Sequence, residues 1–395
     1  MVAIVSNKVW NKHFTDIWAA NLFVSIAMVM LNNTLALYID DLGGSTRLSG
    51  AMTSAFAIAA LLTRVFSGDL VDVKGRRAVM IAGCLIFAIA TLIFNVTTAF
   101  WVLLALRALQ GVGFSAAGTA FGAAAADVLP KSRIGEGIGY YGLGMPLATA
   151  IGPSMGLALI NHGDYRLMFF GTTLIIMVSC LLSFFCRYEK NGGCFESKVG
   201  EIKQHHHDKT KRIWDKIETS ALKPSLVQLP VIMAFTCVTT FLTLYAAVRG
   251  FTTAGLFFAV AASTMALARV TAGQLTDRLG PLTVLIPGLV LGAASFLVLA
   301  FTSNQVLFVT CGGIYGLCSG ITMPVLNTIV IKNAPRERIG AAQATYYLAW
   351  DMGNVVGGVV WGAILEYAGF IAMFCGATVC LMLSVAMSLL FFVKK

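Results

Sequence analysis

The ten residues Gly68 to Arg77, GDLVDVKGRR, stand between long apolar stretches and have a counterpart 205 positions later, GQLTDRLGPL, at Gly273 to Leu282. In that register Arg64, Gly68, Leu70, Asp72 and Gly75 fall on Arg269, Gly273, Leu275, Asp277 and Gly280. Farther along, Gly111 falls on Gly316, Pro130 on Pro335, Arg133, Ile134 and Gly135 on Arg338, Ile339 and Gly340, and Tyr141 on Tyr346. Single coincidences are cheap in apolar sequence. Loop residues held in one gapless register over this distance mark a duplication, so the chain is two copies of one unit.

The copies lie in a membrane. Of 395 residues 58% are hydrophobic and 12% are charged, about half the ~25% charged share of a soluble domain. Intrinsic disorder needs low hydrophobicity and is excluded as well. Ile17 to Ile39 holds 23 residues without a charge, and Leu279 to Ile331 holds 53. One crossing of the hydrocarbon takes about 20 apolar residues, so the longer stretch is two helices broken at Thr302 to Gln305. Ala78 to Leu106 divides in the same way at Asn95 to Thr98. Twelve spans are predicted, at 14–38, 48–69, 78–96, 100–126, 135–160, 166–187, 222–248, 252–273, 282–301, 305–331, 338–365 and 369–393. Six of them separate the copies, so both halves share one orientation, one of the layouts of secondary transporters.

The expected fold is an all-α integral membrane protein whose twelve transmembrane helices form two six-helix bundles related by a parallel repeat. Residues 1–187 are the N-terminal bundle, 188–221 a cytoplasmic linker and 222–395 the C-terminal bundle. The polar segment Arg187 to Lys223 mixes nine basic and six acidic residues, with a short surface helix expected around Lys211 to Glu218. The first span is too long for the apolar region of a cleavable signal peptide.

The net charge of +10 reads as topology. With the N-terminus inside, the outer loops hold only Arg47, Arg166 and Arg249, and nearly all of the other 25 Lys and Arg residues lie on the cytoplasmic side. Arg107 is the intramembrane exception. This positive-inside bias puts both termini in the cytoplasm of a multi-pass protein of the cell (inner or plasma) membrane. The cations are scattered over short loops, so no nucleic-acid partner is needed to explain them. All nine cysteines but Cys194 fall inside predicted spans, none in an outer loop. They read as small buried hydrophobes, and no C-x-x-C pair offers a metal or redox site.

Other chemistries are set aside. The run His205, His206, His207 reads as a solvated loop, because no further ligand set has metal-binding spacing. Gly137, Gly139 and Gly142 spell a G-x-G-x-x-G, but no strand precedes them, which removes dinucleotide binding. No phosphate-binding G-x-x-x-x-G-K-[ST] loop exists to drive an ATP-powered pump. A membrane enzyme would need a catalytic cluster at membrane depth, whereas all five histidines lie at span ends or in loops. No cofactor or metal is expected.

GDLVDVKGRR resembles the signature loop of the major facilitator superfamily. LRALQGVG, Leu106 to Gly113, is similar to the fourth-helix motif of that family's proton-coupled members. Gly139, Gly152, Pro153 and Gly156 match the spacing of the fifth-helix motif of its drug:proton antiporters. Val73 stands where the loop signature has a basic residue, and Ala148 and Leu157 stand where the antiporter motif has glycines. The resemblance implies a monomeric secondary transporter that works by alternating access, with protons as coupling ion and export of a small amphipathic organic compound. Proton-coupled or facilitated movement of a nutrient, such as a sugar or amino acid, is the alternative. The resemblance also implies a gate in which Asp72, Arg76 and Asp127 hold one conformation closed, with Asp277 as the second-half counterpart. Gly68 lets neighbouring helices approach, and Gly152, Pro153 and Gly156 pack and bend the fifth span.

The positions where the repeat breaks point to the substrate site. Arg107 faces Gly312 in the alignment, Gln110 faces Tyr315, and Pro146 faces Asp351. A charge at a helix centre costs roughly 2.5–3.5 kcal/mol on insertion scales, so Arg107 and Asp351 should each face a cavity or a partner. At about 1.5 Å per residue, Arg107 lies about 10 Å from the outer end of the fourth span and Asp351 about 20 Å from the inner end of the eleventh. Asp351 is the expected proton-coupling residue. Arg107 is expected to tune it or to bind an anionic group, since a neighbouring guanidinium favours an ionised carboxylate; a structural ion pair is the alternative. Tyr346, Tyr347, Trp350, Asp351 and Asn354 make the eleventh span polar and aromatic, a surface suited to an organic cation or to plain packing. Asn32, Asn33, Phe114, Tyr141, Tyr245 and Tyr315 complete the candidate lining.

Overall fold

The computed structural model describes residues 8–43, 46–162, 164–186 and 217–392. Most of the linker, with its three histidines, Cys194 and the start of its expected helix, lies outside the described residues.

Within the described residues every regular element is helical. The first four spans are Lys12–Asp41, Thr46–Lys74, Arg76–Ile93 and Phe100–Val128. The fifth comes in two pieces, Ile134–Tyr141 and Gly144–His162, and the sixth is Tyr165–Phe185. The seventh runs from Thr219–Thr236 through a wide turn at Cys237–Phe241 into Leu242–Arg249. Ala254–Leu279, Pro281–Phe301 and Gln305–Asn333 follow, and then one run, Ile339–Phe392. That last run is two spans, because Gly369 breaks it with φ 76° and ψ −177°, a backbone shape open to glycine alone at no steric cost. Eleven apolar runs thus make twelve crossings.

Local chemistry sets the breaks. Gly75 and Gly280, partners in the repeat, both turn the chain with φ near 90° between spans two and three and spans eight and nine. Asp164 caps the sixth span and Asn304 the tenth, each side chain accepting from two backbone N–H groups of the first turn. The fifth span breaks at Gly142 and Leu143, and Pro146 sits in the first turn of the second piece, where a missing N–H costs nothing. The eighth span runs on through Asp277 to Leu279, beyond its expected end at 273. Hydropathy marks the hydrocarbon boundary, whereas the backbone ladder continues into the polar zone.

The chain divides into two compact units. One holds Met1–Pro130, Gly144–Glu218 and Pro335–Thr345; the other holds Lys131–Leu143, Thr219–Ala334 and Tyr346–Lys395. Each copy therefore lends the opening of one span, the fifth or the eleventh, to the other copy's unit.

Packing repeats with the sequence. In the first unit a Cβ on Gly111 would run into the carbonyl oxygen of Phe56; in the second, a Cβ on Gly316 would run into that of Ala261. Phe56 and Ala261 are themselves 205 residues apart, so one backbone contact is built twice. Gly152 and Gly156 lie against Val29, Met30 and Thr34 of the first span, and Gly353 and Gly357 lie against Ile232 and Thr236 of the seventh. Small residues at these crossings let helices close without a hydrophobic driving force between them. The cysteines among the described residues are all unbridged.

Candidate functional site

Asp72, in the last turn of the second span, accepts the backbone N–H groups of Gly340 and Ala341 at 2.9 Å each. These belong to the opening turn of the helix at Ile339, where N–H groups lack partners within the helix and the macrodipole favours a negative charge. Gly68, one turn earlier, permits the approach, since a Cβ there would lie 2.6 Å from the Ala341 Cα. Arg76, 2% exposed, stands 3.3 Å from Asp72 and donates from Nε to Asp127 at 2.9 Å.

The second unit builds the same joint. Asp277 accepts the N–H groups of Gly135 and Glu136 at 3.1 and 3.0 Å, and a Cβ on Gly273 would strike the Gly135 carbonyl. Its charge is balanced differently. The repeat position of Asp127 is Lys332, whose ammonium meets Asp277 directly at 2.9 Å, and the position of Arg76 is Pro281. The flanking arginines also diverge. Arg133 pairs with Glu136 at 2.6 Å, whereas in the other copy that glutamate is Ala341 and Arg338 takes Glu218 instead, at 3.0 Å. The Glu218 N–H in turn donates to Thr345 Oγ1 at 3.1 Å, so the end of the linker is tied to the opening of the eleventh span.

At membrane depth in the first unit, Arg107 is 1% exposed. It donates to Gln110 Oε1 at 2.8 Å and to Asn32 Oδ1 at 2.6 Å, and its guanidinium lies 4.7 Å from the Phe56 ring centre. Gln110 is held by Thr91, to whose hydroxyl it donates at 3.0 Å. Among the described residues no carboxylate pairs with Arg107, so neutral oxygens and an aromatic face carry its charge. Asn33 turns back to its own helix, donating to the Val29 carbonyl at 2.8 Å. Phe114 packs near Phe56 and Phe87. Thr91 and Phe56 escaped the sequence reading, since one threonine or phenylalanine in an apolar run carries no signal.

In the second unit Tyr347, Trp350 and Asp351 are half-buried, and Asn354 is exposed with Oδ1 accepting from Thr236 at 3.3 Å. Tyr346 is 2% exposed, its hydroxyl within hydrogen-bond distance of Gln228 Oε1 and the Met323 carbonyl. Tyr315 packs edge-on against Phe235. Tyr245 is fully buried among Phe251, Phe308, Phe370 and Phe374, its hydroxyl bonded to the Leu299 carbonyl. The structure therefore places Tyr245 in the aromatic core rather than on a lining surface. Tyr141 is buried in the opening helix of the fifth span. Among the described residues no group of three or more His, Cys, Asp or Glu side chains is placed to hold a metal ion.

Comparison with known proteins bears on the whole chain. The family model described as Major Facilitator Superfamily matches residues 17–283 and 224–395. The multidrug resistance protein MdtG of Salmonella arizonae is 25% identical over 387 residues, covering 93% of this chain and 92% of its own, and the MdtG of Salmonella typhi matches equally. Among solved structures, the human organic anion transporter MFSD10 superposes with a TM-score of 0.76 at 16% identity, covering 95% of this chain and 98% of that one. The E. coli fucose:proton symporter FucP gives 0.73 at 15%, covering 95% and 97%. A bacterial homologue of the iron transporter ferroportin gives 0.77 at 14%, covering 96% and 99%. At these identities the structural likeness speaks for the fold alone.

Proposed function

The chain belongs to the major facilitator superfamily, and from that membership we propose that it is a proton-coupled antiporter exporting a small amphipathic organic compound by alternating access. The observation that carries the reading is Asp351, an ionisable side chain only half-buried within an apolar span, beside Tyr347 and Trp350. Ionisable groups at that depth mark ion or substrate paths. The multidrug resistance relatives support export. The cation asymmetry supports cytoplasmic termini and a cell-membrane location.

In this reading the Asp72 and Asp277 joints hold one state, and the openings of the eleventh and fifth spans leave their aspartates in the other. Arg107, bonded through its two terminal nitrogens to Gln110 and Asn32, organises the first unit at membrane depth.

The test is flux through the purified full-length protein in proteoliposomes, with membrane potential clamped at zero. Acid-inside vesicles should accumulate amphipathic organic ions by about tenfold per pH unit for one-for-one exchange, since a pH unit is worth about 1.4 kcal/mol. Accumulation of sugars or amino acids in acid-outside vesicles would instead establish nutrient uptake.

A further inference from the structure

We propose that Arg269 binds an anionic group of the transported compound, which makes the substrate class an amphipathic organic anion such as an aromatic carboxylate. The proposal rests on the transporter reading above and assigns the chemistry of its substrate. Arg269 lies ten residues inside the Leu279 end of the eighth span, about 15 Å at the helical rise. It is 7% exposed, its Nε is buried without a partner, and no ion pair reaches its guanidinium among the described residues. A guanidinium carries five N–H donors in a fixed fork, and a buried charge left unpaired is strongly unfavourable. Elsewhere the protein answers the charge with oxygens: Arg76 has two carboxylates, and Arg107, whose Nε is also without a partner, has two amide oxygens on its terminal nitrogens.

The surroundings select the partner. The ionisable side chains around Arg269 are the phenols of Tyr315, Tyr346 and Tyr347, all uncharged in their ordinary form and none of them a carboxylate. At the break in the fifth span, a Cβ on Gly142 would stand 2.8 Å from Nη1, so the glycine lets the guanidinium lie close to the break. Tyr346 already bonds Gln228 and Met323, whereas no hydrogen bond occupies the Tyr315 hydroxyl among the described residues. The site thus offers a planar cationic fork, a phenolic donor and aromatic faces. That set matches an oxyanion joined to an apolar ring and repels an organic cation.

Three probes share one ring system: 1-naphthoate, the neutral 1-naphthamide and the cationic 1-naphthyl-trimethylammonium. Equilibrium binding to the purified full-length protein and flux in phosphatidylcholine vesicles are measured for each. Naphthoate should bind at least about tenfold more tightly than the amide, a ratio equal to about 1.4 kcal/mol. R269Q should abolish that preference without lowering the melting temperature, and R269K should restore part of it. A preference for the cation, or an unchanged anion preference in R269Q, overturns the proposal; so does an equal loss for all probes, which marks a purely structural arginine. Anionic phosphatidylglycerol supplies the same chemistry from a lipid headgroup. If adding it removes naphthoate binding to the unchanged protein but not the residual binding to R269Q, the anion is the lipid's and the substrate assignment fails. Absence of flux for every probe, with R269-dependent naphthoate binding retained, counts against the transporter reading and leaves the anion site standing.

Discussion

Vesicles carrying D351N are expected to lose gradient-driven accumulation completely, from about tenfold per pH unit to none, while substrate-for-substrate exchange at equal pH continues. The amide keeps nearly the volume and hydrogen-bonding reach of the carboxylate but cannot carry a proton across. Gly353 and Gly357 fix the eleventh span against Ile232 and Thr236, and Asn354 is tied to Thr236, contacts that the exchange of Asp351 for asparagine leaves in place. Glutamate at 351 retains a titratable group and should keep part of the accumulation. Undiminished gradient-driven accumulation in D351N removes Asp351 from the coupling.

The second large effect is expected at the Asp72 joint. D72A removes two hydrogen bonds from a carboxylate to the first turn of the eleventh span. Hydrogen bonds to charged groups are worth roughly 1.5–3 kcal/mol each. A loss of about 3 kcal/mol shifts an equilibrium about a hundredfold. Ala344, whose Cβ lies 2.9 Å from the place of a Gly68 Cβ, reports the joint: in a chain otherwise freed of cysteine, A344C should react with a thiol reagent about a hundredfold faster in the D72A background when labelling is slow compared with reclosing. Transport should slow in parallel, because one end state has lost its support. Equal labelling rates with and without Asp72 would mean that the joint is an ornament of the fold rather than a gate.

How far the sequence carried these expectations depended on polarity. A duplicated chain writes each contact twice, so Gly68 with Gly273, Asp72 with Asp277 and Gly75 with Gly280 stood out against apolar surroundings, and the structure uses each pair alike. Arg107, Gln110, Asn32 and Asp351 were legible for the same reason, as polar groups in spans that otherwise exclude them. The partners were not. Lys332 and Glu218 look like any loop cation or linker acid until folding brings them to Asp277 and Arg338.

Aromatic residues were the least legible. Tyr245 and Tyr347 sit in similar apolar runs, and only packing tells that the first is fully buried in a core and the second half-buried. Arg269 does not stand out among the positions where the repeat breaks. It matches Arg64 in the repeat, yet Tyr315 around it faces Gln110 in the register, so a symmetric side chain stands in an asymmetric setting.

The most direct measurement of proton-coupled export is the internal pH of dye-loaded proteoliposomes during outward flow of substrate down its own gradient. Antiport requires the lumen to acidify as substrate leaves, in proportion to the amount moved, with no change in protein-free vesicles. Substrate flow at constant pH, or with alkalinisation of the lumen, would contradict it.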